Sequence, residues 1–404
     1  LLAGSDLLTT ADSTSFTIRM LEAVRAQAIA ISGTPGGDGG SAVLDVLGGF
    51  ILDIGQVNIQ AVAGINVTEL PDVTSPIVQS VTISLDDNAA AGGRALIFTC
   101  SETVDVTPTS NINVSAFAFS EHGADPIVSL EGASTLASAD GLTFTIIITE
   151  EQRVHAVRGS NTPGGDGSAI NTVANSGAFH DIGVVFNERQ NITVTEIEDQ
   201  RSPGLSGVQN IDYGTGVISL SFSETIDVDH ASVTPGSVYV LETSSSSLAS
   251  GVRLTVNTMT TTDATIVRFK LTEEQRSAAI KLSGTSGFST AAVLRIYGNT
   301  SFLDLSGNKF NKAGSLIIDT FNETADVQAP TVLTCSLNFS TGLMILTFSE
   351  IVNFDARIGA PVAGELHLNR INIANVSGTH SSGKGTFYHS RDHDFISLAT
   401  TGTH

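Results

Sequence analysis

Three proline-marked junctions punctuate this chain at one fixed interval, and no other feature narrows its possible folds as much. They read Asp72-Val-Thr-Ser-Pro76, Asp199-Gln-Arg-Ser-Pro203 and Asp326-Val-Gln-Ala-Pro330, so the prolines stand 127 residues apart both times. Other matches recur in the same order. Ser101-Glu-Thr-Val-Asp-Val returns as Ser223-Glu-Thr-Ile-Asp-Val and, degraded, as Ser349-Glu-Ile-Val-Asn-Phe, while Thr149-Glu-Glu-Gln-Arg153 returns as Thr272-Glu-Glu-Gln-Arg276. Thr34-Pro-Gly-Gly-Asp-Gly39 matches Thr162-Pro-Gly-Gly-Asp-Gly167, and Phe50-Ile-Leu-Asp53 matches Phe179-His-Asp181 and Phe302-Leu-Asp304. Self-similarity at constant spacing is the signature of an array. The chain divides into a partial unit (residues 1–73, the second half of a repeat), two whole units (74–200 and 201–327) and a second partial unit (328–404, a first half).

Inside the units the apolar period is two. Leu96, Phe98 and Cys100 alternate with polar neighbours, as do Ile218, Leu220, Phe222 and Met344, Leu346, Phe348. Each run predicts a strand with one face in a core. Further strands are expected over residues 144–148, 266–271 and 16–20. Thr149 and Gln152, and Thr272 and Gln275, have capping-box spacing, which predicts a short helical turn after the strand. The rest reads as short strands joined by Gly, Asn and Ser turns. The expected class is all-β, as tandem β-sandwich domains with a period of 127 residues.

A strand ending in Phe-Ser-Glu, a Thr-Glu-Glu-Gln-Arg turn and Asp304-Leu-Ser-Gly-Asn308 together resemble the tandem immunoglobulin-like (Ig-like) repeats of secreted surface proteins. The chain is similar to bacterial Ig-like adhesin and S-layer repeats, and especially to the mastigoneme and sexually induced cell-surface proteins of algae. The resemblance implies Ig-like sandwiches in an extracellular structural protein. Asp53-Ile-Gly-Gln and Asp181-Ile-Gly-Val depart from the Asp-x-x-Gly-Asn pattern.

Charge and composition exclude other classes. With 19 Lys and Arg against 41 Asp and Glu, a formal charge of -22 would repel nucleic acid and anionic membranes. No apolar run is long enough for a membrane span, and no leader pattern opens the chain at Leu1, so it reads as a mature form or as a piece of a longer protein. Ser and Thr fill 90 of 404 positions, a weakly charged surface that suits added sugar. Seven Asn-x-Ser/Thr sequons are present, at Asn66, Asn113, Asn191, Asn299, Asn322, Asn338 and Asn375. Asn66, Asn191 and Asn322 fall 4 to 8 residues before a junction Asp, where glycans would be exposed. The hydroxyl clusters at 244–247 and 258–262 suit O-linked sugar or solvated loops equally.

Calcium is the one cofactor the pattern admits, since hard cations take oxygens from acidic, Gly-rich loops between β-domains. Its candidate ligands are Asp72, Asp199 and Asp326 at the junctions and Asp304 beside them, although no EF-hand or nonapeptide spacing is present. Glu150-Glu151 and Glu273-Glu274 read as complements to a helix dipole rather than as an acid/base pair. The Gly-Gly-Asp-Gly stretches lack the Lys-Ser/Thr of a P-loop and read as turns. His389 and His393, with Asp392 and Asp394, lack a third spaced zinc ligand. No Gly-x-Ser-x-Gly elbow supports a hydrolase. Cys100 and Cys335 stand where other units carry apolar residues, which predicts two buried free thiols.

The sequence therefore predicts a non-enzymatic, glycosylated segment of an extracellular fibre or cell-surface appendage. The alternative is an adhesin stalk that binds glycan or protein. Because a leading half-repeat and a trailing half-repeat complement each other, head-to-tail homopolymers are the expected assembly.

Overall fold

The computed structural model describes residues 2–88, 93–121, 128–228, 237–255, 260–286, 291–297, 302–310, 315–353, 371–374 and 395–397. Strands dominate these residues. Three α-helices are interspersed: α1 (Glu22–Ala30), α2 (Glu150–Arg158) and α3 (Glu273–Leu282). The protein is all-β in character.

Alternation in the sequence becomes alternation in burial. Along the strand Ala95–Val104, Leu96, Phe98, Cys100, Glu102 and Val104 are buried while Ile97 and Ser101 are exposed. Its equivalent Val217–Ile226 buries Ile218, Leu220, Phe222, Glu224 and Ile226. Each pairs antiparallel with the strand before it, Val81 facing Phe98 and Val208 facing Leu220.

Between residues 78 and 197, eight strands form one hydrogen-bonded succession. The strand Gln190–Ile197 links its halves: residues 190–193 pair antiparallel with Ile170–Ala174, and residues 194–197 pair parallel with Val78–Ser84. Between 205 and 324 the same course is split in two. Ser315–Ile318 closes one four-stranded sheet on Val293–Tyr297, and Asn322–Thr324 joins the other in parallel with Leu205–Asp212. Both halves of each assembly feed a common core. Phe98 and Phe144 from one side stack at 4.7 Å, and Phe117 from the other meets Phe98 at 5.1 Å. Phe179 lies 5.3 Å from Phe144, and in the second core Phe302 lies 4.7 Å from Phe222. Each such ring contributes about 1.5–3 kcal/mol by burial, so the Phe-x-Asp motif marks a plug residue followed, two positions on, by an acid that is itself buried, Asp181 in one assembly and Asp304 in the other.

Three local expectations need correction. The capping boxes exist: Thr149 Oγ1 accepts from the Gln152 N–H at 3.2 Å, and Gln152 Oε1 accepts from the Thr149 N–H at 2.9 Å. They start helices of nine and ten residues rather than single turns, because α2 also buries Arg153, Ala156 and Val157. Over residues 16–20 only Ile18–Arg19 is strand, and α1 follows it, begun at Leu21 with no side-chain cap. Cys335 is exposed, not buried, although it pairs with Leu346 as Val208 pairs with Leu220. Its hairpin, Val332–Asn338 with Leu343–Phe348, has no facing sheet among the described residues to cover it.

Candidate functional site: acidic clusters at the junctions

Each helix brings one arginine to the same kind of place. Arg153 of α2 is fully buried. Its Nε and Nη2 donate to Glu150 at 2.8 and 2.7 Å, its Nη1 to Asp199 at 3.1 Å and to the Leu85 carbonyl at 3.0 Å, and its Nη2 also to Glu224 at 3.2 Å. Arg25 of α1 repeats this with Glu22, Asp72 and Glu102, and Arg276 of α3 with Glu273, Asp326 and Glu350. The glutamate at each helix start reaches further. Glu22 Oε1 accepts the Thr103 N–H at 2.7 Å, Glu150 Oε1 the Thr225 N–H at 2.9 Å, and Glu273 Oε1 the Ile351 N–H at 2.7 Å. These carboxylates tie a helix to the strand end beyond the next junction, a role beyond complementing the helix dipole.

A loop from the later segment completes the arrangement. Asp304 Oδ1 takes the Asn308 N–H at 2.8 Å, and Asp181 Oδ1 takes the Val185 N–H at 2.8 Å. The second oxygen of each is buried with no hydrogen-bond partner among the described residues. Asp181 does this without the Gly-Asn of its counterpart, because Val184 adopts φ 63° where Gly307 has φ 83°. A β-branched residue held in the left-handed region is an outlier that the surroundings must enforce.

Two triads of carboxylate oxygens result, each with its members within 4.8 Å of one another: Asp72, Glu102 and Asp181, and Asp199, Glu224 and Asp304. Of the predicted calcium ligands, Asp199 and Asp304 meet in one cluster, Asp72 anchors the other, and Asp326 pairs with Arg276 outside either triad. Sequence reasoning missed Glu102, Glu224 and Asp181. The signal for the glutamates was parity, since Glu102 follows Cys100, and Glu224 follows Phe222, by two residues on the inward face.

Electrostatics follows burial. Desolvation pushes Glu102 up to about 7, with Arg25 pulling back and the charges of Asp181 and Asp72 adding to the rise. Burial also raises Asp181 and Asp304. Asp199 and Glu224 are both raised, by desolvation first and then by the neighbouring carboxylates. Burial, the largest single effect, pushes Glu22, Glu150 and Glu273 up, but their arginines together with the backbone N–H groups they accept outweigh it and hold all three low.

The Gly-rich stretches dock backbone to backbone beside these clusters. Gly36 has φ 86° and Gly164 φ 88°, and a β-carbon on them would lie 1.7 Å from the Ile182 carbonyl oxygen and 2.1 Å from that of Leu305. Asn308 Nδ2 donates to the Asp199 carbonyl at 3.0 Å, and Arg158 pairs with Asp263.

Of the sequons, Asn66, Asn113, Asn191, Asn322 and Asn338 are exposed, while Asn299 and Asn375 lie outside the described residues. His389, Asp392, His393 and Asp394 also lie outside them. Among the described residues, no helix is long and apolar enough to cross a membrane.

No family model matches the chain, and no curated protein matches it. Among solved structures, the N-terminal part of the bacterial S-layer protein SbsC aligns with 61% of this chain and 44% of its own, at 13% identity and TM-score 0.21. The titin domains z1z2 in complex with telethonin align over 63% of this chain and 97% of theirs, at 9% identity and TM-score 0.15. The FN1-FN3 domains of chicken CNTN1 align over 67% and 76%, at 13% identity and TM-score 0.15.

Proposed function

We propose that this chain is a non-enzymatic structural segment of an extracellular, glycosylated fibre or surface appendage, made of tandem Ig-like units held in fixed relative orientation. One observation carries the reading: the same arginine clasp is built three times, at Arg25, Arg153 and Arg276, each time joining a helix, a linker aspartate and a glutamate at or just past the end of a following strand. Catalysis needs one site, whereas a linear array that must keep its direction needs the same joint at every junction. Short linkers and close backbone contacts restrict bending in the same way. Exposed sequons fit a surface whose solvation comes from sugar rather than charge.

Small-angle scattering and electron microscopy of the full chain test this. Rods with a constant angle between units, growing end to end with concentration, support the fibre reading. Monomeric rods at every concentration favour an adhesin stalk instead. Independently swivelling beads would overturn both.

A further inference from the structure

The clasp around Arg153 leaves a bonding deficit. All five N–H groups of the guanidinium are engaged, by Glu150, Asp199, Glu224 and the Leu85 carbonyl. Yet Glu224 Oε1 and Asp304 Oδ2, on side chains shut off from solvent, have no hydrogen-bond partner among the described residues. Asp181 Oδ2 is left in the same condition at the preceding junction. Charge is as unbalanced as bonding, because Asp199, Glu224 and Asp304 gather at the guanidinium of Arg153, which is already bound to Glu150, and the further guanidinium of Arg94 reaches Glu150 alone among the described residues, at 3.9 Å. A bare carboxylate oxygen away from water is strongly unfavourable.

A hard divalent cation answers both deficits. Two oxygens bound to one Ca2+ at about 2.3–2.6 Å can be no more than about 5 Å apart. In each triad the oxygens lie within 4.8 Å of one another. Mg2+ needs shorter bonds in strict octahedral geometry and keeps its own waters, so it suits a pre-spaced cage of protein carboxylates less well.

We infer that each triad, Asp72 with Glu102 and Asp181, and Asp199 with Glu224 and Asp304, binds one Ca2+ ion that fastens a linker to the unit following it. The ion draws together a linker residue, a strand-end residue and a loop residue, while the arginine brings the helix of the preceding unit to the same point. Binding therefore stiffens the joint. This holds whether or not the protein works at a cell surface.

The test uses the full chain after chelation, at pH 7.5, by calorimetric titration with CaCl2. Binding is expected in the 10⁻⁴–10⁻³ M range typical of extracellular modules, with 10 mM Ca2+ raising the first thermal transition by about 3–8 °C. Asp304→Asn keeps the oxygen that accepts from Asn308 and offers Glu224 an amide donor in place of the ion, so it should fold and bind one Ca2+ fewer. Asp181→Asn should do the same at the other junction. Absence of binding up to 10 mM would overturn the inference, as would unchanged stoichiometry in both variants. An equal thermal shift with NaCl at matched ionic strength would also overturn it, since that is screening alone.

Discussion

Gly164 sits against Leu305 so closely that a β-carbon on the glycine would come within 2.1 Å of the leucine's carbonyl oxygen. The two residues belong to different sheet assemblies, so the contact measures how tightly successive units dock. Gly167, three residues on, has nearly the same φ, 87° against 88°, but would meet nothing within 4 Å. The pair separates docking from backbone strain. Gly167→Ala should cost about 1 kcal/mol for the left-handed conformation alone. Gly164→Ala should cost about 2–3 kcal/mol more and split the thermal unfolding of the two assemblies into separate transitions. Equal effects in scanning calorimetry would show that the docking contact is unimportant.

Arg153 gives a second, larger effect. Removing a buried partner leaves Asp199 and Glu224 uncompensated, so Arg153→Ala should destabilise by about 3–5 kcal/mol in denaturant titration. Arg153→Lys restores the charge but not the planar five-donor fork, and should recover less than half of the loss. A loss under about 1 kcal/mol for the alanine variant would mean that the clasp does not hold the joint.

The pieces legible in the sequence are those with local signatures. Period-two runs such as Leu96, Phe98 and Cys100 specify strand and face together, and Thr149 with Gln152 announces a helix start. The clusters were half legible. Asp72 and Asp199 stand out by repetition, whereas Glu102 and Glu224 sit inside the repeated Ser-Glu-Thr motifs, where inward parity by itself marks a core position rather than a ligand. Asp181 lacks the Gly-Asn that follows Asp304, yet Val184 takes the left-handed turn that Gly307 takes there. The partner of Gly164 is Leu305, far along the chain, and local pattern carries no information about such a contact. α1 escaped because Leu21 stands where Thr149 stands, so the capping signal is missing although Glu22 and Arg25 keep their spacing.

The two cysteines should differ in reactivity by environment alone. Burial pushes the Cys100 thiol up to about 12, whereas Cys335 is exposed. At pH 8 a thiolate-selective disulfide reagent should label one thiol per native chain and two in denaturant, with Cys335→Ser abolishing the native reaction. Rapid native labelling of both would place Cys100 at the surface.

Acid should loosen the last clasp before it affects the cores. Arg276 holds Glu273 below its ordinary 4.5 against the opposing effect of burial, and Glu273 also accepts the Ile351 N–H. A carboxylate whose folded value is depressed contributes stability that is fully present above its unfolded value and is lost as the pH falls through the folded one. Glu273→Gln keeps an acceptor but removes the charge, so it should lower the thermal midpoint by a constant amount between pH 7 and about 5. Below about 4.5 the unfolded chain takes up the proton first, so the gap begins to narrow, and it closes once the pH has fallen through the lower value that Glu273 holds in the fold. Thermal scans of both at matched ionic strength check this, and a gap that widens on acidification would show that Glu273 is not held as an ion by Arg276.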